Sequence, residues 1–320
     1  MTNRRRRGAH LPARGLLLAL TCLALTACDA RSATLSATSV TLPLVMLRAK
    51  GGDTVALNGD FGEVAINNRK FSPALTLDLQ NAKLNRLAIV GSTGVHVKGG
   101  GWSASDVREL VLIQQADDVS FDGSALQSEG KAYGFRILDT SNITIKSTHI
   151  DQVFQAINSG RVKNATYADN TITASFNDGI VIYANQGLKI EHNQISGNQR
   201  VDKRHPDGIQ FIYKAGDARH GERSSDVVIR NNSISGNTQG IFGGGIDRAE
   251  IAGNTVNIDH GNGIRIGDCT ECRVADNDVS TLPGAARRAS ITLDASVVQC
   301  GNKVAAGAGK SGVSERPCSR

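Results

Sequence analysis

The sequence predicts an all-β protein, a single-stranded parallel β-helix with coils of about 22–23 residues and an Asn ladder. Three observations predict it. First, one phrase recurs: "NATYADNTITASFNDGIVIY", "DVVIRNNSISGNTQGIFGG" and "AEIAGNTVNIDHGNGIRIG" are variants of each other. Second, Asn170, Asn193, Asn232, Asn254 and Asn277 each stand two residues before an Ile or Val. A small residue before an apolar one repeats at Ala156, Gly179, Gly208, Gly240 and Gly263, and most intervals of the two series taken together are 22 or 23 residues. Third, aliphatic residues alternate with period two, as in Ile180/Ile182 and Ile264/Ile266. Such a period places them inside a strand coil with their neighbours outside, and it disfavours a helical solenoid. Asn at one place in every coil can bond its equivalents above and below.

The elements follow in order. Residues 1–27 have a basic start, an apolar run from Leu16 to Leu25 and small residues before Cys28, the pattern of a secretory signal. "LTAC" (25–28) has the form of a bacterial lipobox, so Cys28 is expected to be the lipidated amino terminus of an exported, membrane-anchored lipoprotein facing the periplasm or the cell surface; ordinary cleavage near Ala30 or Ala33 is the alternative. Residues 28–45 read as a tether, 46–305 as the β-helix domain, and 306–320 as a C-terminal tail tied by disulfides. Cys269, Cys272, Cys300 and Cys318 are an even set in an exported chain, which points to two disulfides of undetermined connectivity.

Charge excludes little and suggests little. Five of the 36 basic residues and none of the 30 acidic ones lie in residues 1–27, so the net charge falls from +6 to +1 without that segment. Nothing there calls for a nucleic-acid partner. No metal or cofactor motif is present; Ca²⁺ on exposed carboxylates is the one ion left open, with no motif to support it.

The repeat resembles right-handed parallel β-helix proteins of the pectin-lyase-like superfold. "GDTVALNGDFGEVAI" (52–66) looks like their first coil, and the Asn-ladder segments look like the repeats of alginate epimerases and polysaccharide lyases. The resemblance spans residues 45 to 305 and implies a right-handed helix acting on an acidic, uronate-containing polysaccharide. The chemistry it implies is abstraction of the C5 proton, ending in elimination or epimerisation.

Coil length locates the expected site. Gly179 to Gly208 spans 29 residues where 23 is usual, and Gly208 to Val227 spans 19 where Gly179 to Leu188 spans 9. Insertions of about six and ten residues therefore flank "DGIQFIY", and in a solenoid insertions become loops on one face. Asp178 and Asp207 precede Gly179 and Gly208 alike, so their carboxyls are expected on successive coils about 4.8 Å apart, where one pKa is raised. His205, held by Pro206 beside Asp207, is the expected general base, with Tyr213 or Tyr183 as acid. Lys203, Arg204 and Lys214 would neutralise substrate carboxylates, and Gln210 and Arg265 face outward along the same file to bind sugar. In the epimerases the motif order is Tyr-Asp-Pro-His; here it is "RHPDG". Two alternatives stand beside this reading: a glycoside hydrolase using the paired Asp residues, and a non-catalytic lipoprotein that binds glycan or assists assembly.

Overall fold

The computed structural model describes residues 32–199, 205–305 and 310–311. They wind as one right-handed parallel β-solenoid of about 12 turns with roughly 23-residue spacing. Each coil feeds three parallel ladders. Near the middle, ladder A takes Ile180–Tyr183, Asp207–Phe211, Gln239–Gly243 and Asn262–Ile266. Ladder B takes Gln186–Glu191, Ser224–Arg230 and Ile246–Ala252, and ladder C takes Gln194–Ser196, Ser233–Gly236 and Thr255–Ile258.

The core follows from the register. On ladder A, Phe135, Ile157, Ile180, Ile209, Ile241, Ile264 and Ile291 pair in one unbroken file, and all are buried. Each such side chain contributes about 1.5–3 kcal/mol of apolar burial, repeated coil after coil.

The Asn file sits at the turn between ladders B and C. The backbone N–H groups of Asn170, Asn193, Asn232, Asn254 and Asn277 each donate to the next Asn Oδ1 at 2.9–3.0 Å. Each side-chain amide also donates to that oxygen at 2.9 Å and to a backbone carbonyl of the preceding coil. Asn302, absent from the expected file, is its last member. On the earlier coils the equivalent places hold Ser124 and Thr148, whose hydroxyls donate to Gly99 O and Lys146 O. The bond from Asn193 to Asn232 spans 39 residues while its neighbours span 22 or 23, so the inserted chain leaves the solenoid without disturbing its circumference.

Both ends differ from expectation. Of the segment expected as a tether, the described residues 32–45 do not run free: Thr34–Ala37 pairs in parallel with Thr54–Leu57, and Leu42–Arg48 forms a helix beside it. Leu35 and Ala37 pack on the end of the core, which draws this segment into the fold. At the other end Lys310–Ser311 pairs with Ile291 and Thr292, beyond residue 305. Residues 1–27 and Cys28 lie outside the described residues. Cys269 and Cys272 form a disulfide within "CTEC"; Cys300 is disulfide-bonded too, and Cys318 lies outside the described residues.

Asn232→Ala removes the acceptor of two Asn193 N–H groups and the donor to Ile190 O and Asn254 Oδ1. It should lower stability by about 2–4 kcal/mol, read from the urea midpoint, because each buried group left without a partner is costly. Asn302→Ala, at the end of the file, should cost less.

Candidate functional site

Ladder A, where the insertions leave and rejoin the coil, separates the expected site residues into groups that do not touch. Asp178 and Asp207 do occupy equivalent places on successive coils, but as parts of a buried polar file. Asp178 Oδ1 accepts the Asp207 backbone N–H at 2.9 Å, and its Oδ2 accepts from Gln155 Nε2 and Asn177 Nδ2, each at 2.9 Å. Gln239 and Asn262 continue the file through their own side-chain bond. Asp207 is 1% exposed, and neither of its carboxyl oxygens has a hydrogen-bond partner. Burial first, then the charge of Asp178, push its carboxyl up to about 8. A hydrolytic pair needs one carboxyl to meet water and the other to meet substrate; the Asp207 carboxyl is sealed from both.

His205 is exposed and lies before the strand begins, where the two-residue alternation no longer sets direction. Its ring meets His260, 5.1 Å between centroids, across a cleft of about 440 Å³ lined also by Thr238, Gln239 and Arg287. The expected His205–Asp207 partnership is therefore replaced by His205–His260. Tyr213 lies beyond the other end of the strand, and about 13 Å of extended chain from Asp207 to Phe211 intervenes. Lys203 and Arg204 lie outside the described residues. Lys214 is exposed on the loop that follows the strand, and its backbone N–H donates to His220 O.

Two groups remain on the far half of ladder A. The first surrounds Tyr183. Its ring lies over Gly160, where any Cβ would overlap it, and it packs with Leu138, Val181 and Ile212 on the outside of the sheet. The ten-residue insertion folds back over it. Arg219 Nη2 donates to Tyr183 Oη at 3.1 Å and its guanidinium stacks on the ring at 5.2 Å. His220 meets the same ring edge-on at 4.9 Å. Asp217 orients this loop: its Oδ1 accepts the backbone N–H groups of Arg219 and His220 and lies 3.2 Å from His220 Nδ1. Those backbone donors hold the Asp217 carboxyl below the usual carboxylate range. Arg161 follows Gly160, the register partner of Tyr183 on the neighbouring strand, and Arg136 stands two residues before Leu138, the partner of Gly160 one coil further. Arg136 is largely buried, 3.8 Å from Glu109, and loss of water pulls its guanidinium below its ordinary value. Arg161 is held by Asp139.

The second group is an open trough of about 380 Å³ beside it. Arg265 lies 5.7 Å over the Phe242 ring, and Gln210 pairs with Phe242 in the ladder. Tyr213 lies against Gly245 with Arg223 above its ring at 5.4 Å. Gln210 and Arg265 thus do share one file, through Phe242, and Tyr213 lines the same trough as Arg265. Arg136, Asp217, Arg219, His220 and His260 were not assigned from sequence. The signal for three of them was present, since Asp217, Arg219 and His220 fall within the longer insertion.

Residues 90–218 match the family model described as a right handed beta helix region, and residues 218–293 match that of the periplasmic copper-binding protein NosD. No curated protein matches the chain in sequence. Among solved structures, the chain is similar to the alginate lyase from Paenibacillus sp. str. FPU-7, with 15% identity over 89% of this chain and 98% of that one and a TM-score of 0.58. The Streptococcus pneumoniae surface protein and adhesin PfbA gives 11% identity, 83% and 87% coverage and a TM-score of 0.58. The DFA-IIIase of Arthrobacter chlorophenolicus A6, without its lid, gives 10% identity, 77% and 82% coverage and 0.51. At these identities the likeness is one of fold.

Asp207 makes stability depend on pH in a defined direction. The unfolded carboxyl ionises near 3.8 and the folded one near 8, so the native state keeps a proton that the unfolded chain has lost. Its contribution is complete below pH ~4 and is lost as pH rises to ~8. Asp207→Asn should match the parent in urea unfolding at pH 4 and exceed it at pH 9.

Proposed function

We propose that this chain is an exported carbohydrate-active β-helix protein that acts on an acidic, uronate-containing polysaccharide by C5 proton abstraction, as a lyase or an epimerase. The observation that carries the reading is a phenol, Tyr183, bonded and stacked by Arg219, with the Asp217-oriented His220 against its ring and Arg136 and Arg161 on the two preceding strands of its ladder. The fold shared with an alginate lyase agrees with it. The lipobox at Cys28 would tether the protein to a membrane.

In this reading the polymer lies along ladder A, its sugar rings on Phe242 and Tyr213. Arg219, exposed at the loop surface, moves from Tyr183 to the substrate carboxylate, and Arg136 supports it from below. Neutralising that carboxylate makes the C5–H bond acidic, because the electron pair it leaves can spread into the carboxyl group. His220 takes the proton while Asp217 holds the imidazole in one orientation. The electron pair then has two outcomes. If it forms the C4=C5 bond, the C4–O4 bond breaks and Tyr183 protonates the leaving oxygen. If instead Tyr183 returns a proton to C5 from the opposite face, the product is the epimer. His205, across on the other cleft, has no part in this chemistry.

A second reading, glycan binding without turnover, is favoured by one fact: Tyr183 is 1% exposed beneath Arg219. Activity separates the two. Alginate, pectate and glucuronan should be tested for the ultraviolet absorbance of an unsaturated sugar and, by proton NMR, for changed uronate composition. Tyr183→Phe should lower turnover by about 10²–10⁴-fold with an unchanged circular dichroism spectrum. Gly160→Ala should do the same by displacing the ring. Silence of the parent on all three polymers would favour binding alone.

A further inference from the structure

A further cavity lies elsewhere, on the outer face of ladder C at the first coils. It is a trough of about 540 Å³, within the range of small-molecule sites. Its floor is one outward file, Asp60, Lys83, Gly101, Ala125 and His149, paired strand to strand. Five strands at about 4.8 Å make it roughly 19 Å long. The file is high at both ends and low in the middle, where Gly101 and Ala125 carry almost nothing. Beside it run the polar side chains of Asn85, Ser103, Gln127 and Asp151.

Gly101 is the informative residue. Glycine weakens a strand interior, and its usual reasons are a positive φ or a close neighbour. Gly101 has neither: its backbone is ordinary, and a Cβ built there would meet no atom within 4 Å. What remains is the open floor itself. Trp102, next in the chain and lining the same trough, buries an indole Nε1 that has no hydrogen-bond partner.

We infer that this trough is a second saccharide-binding site, separate from the ladder A face, and that it takes a neutral, hydroxyl-rich sugar chain. Asp60 and Asp151 stand there against Lys83, and no arginine lines it, so it is unlike the arginine-rich surroundings of Tyr183 and does not suit a polyuronate. Its side chains offer donors and acceptors in mixture, as vicinal hydroxyls require. The length, several sugar units along the solenoid axis, suits a polymer held at one face while another is worked.

The full chain supplies its own reporter, because Trp102 is its one tryptophan. Cellohexaose, maltohexaose and laminarihexaose should be titrated by calorimetry and by Trp emission, with hexaguluronate as the charged comparison. At least one neutral hexaose should bind and shift the emission, and hexaguluronate should not. Gly101→Val, which fills the floor and suits a strand, should weaken binding at least about tenfold without loss of thermal stability. Tyr183→Phe should leave it unchanged, which keeps this site distinct from the proton-abstraction reading. No heat and no emission change with any neutral hexaose, tighter hexaguluronate binding, or undiminished binding by Gly101→Val would each overturn the proposal.

Discussion

Every feature of this molecule depends on equal circumference. A coil that closes after the same path length stacks each residue on its equivalent, and the buried amides from Asn170 to Asn302 hold that condition by hydrogen bonds along the axis. Aliphatic files would lose contact only gradually if a coil slipped, but a slipped Asn would strand donors and acceptors in an apolar interior. The file therefore sets register where the aliphatic residues set adhesion. Extra chain has one place to go, and it goes outward.

That outward growth divides labour among the polar residues. Inside the file on ladder A, the Asp178 carboxyl accepts from three donors, whereas Asp207, without a hydrogen-bond partner for either oxygen, holds its proton to about pH 8. Burying two adjacent anions would cost far more than burying one anion and one acid. The reactive types gather instead where water reaches: His220 and Arg219 on the insertion, Arg265 and Phe242 on the open face. Tyr183 joins the two regions, anchored in the sheet by Gly160 and covered from the loop by Arg219. Over Gly101 the reverse device operates, and a side chain is withheld so that a surface stays accessible.

The fold was legible because it is periodic. Asn spacing, period-two aliphatics and small residues before Ile report the same coil several times over, so errors at single positions cancel. Asn302 also stands two residues before a valine, Val304, and 25 residues after Asn277, so the signal was present in the sequence and the expected file stopped one coil short. The segment from Thr34 was read as a tether because one strand and a seven-residue helix, Leu42–Arg48, carry no repeat to compare with. The candidate site was less legible for a related reason. His205, Asp207 and Tyr213 are close in the chain, but a strand spends about 3.3 Å on each residue and sends neighbours to opposite faces.

By itself, then, the sequence determined the solenoid, its coil length, the inward aliphatic and amide files, and which coil carries the insertions. Those are properties of repetition, and repetition is visible in one dimension. Only the tertiary structure decided that His205 meets His260, that Asp207 is sealed and protonated, that the insertion lays Arg219 and His220 on Tyr183, and that nothing stands over Gly101. Loop return and side-chain neighbourhood across coils depend on distances through space, and no spacing along the chain encodes them.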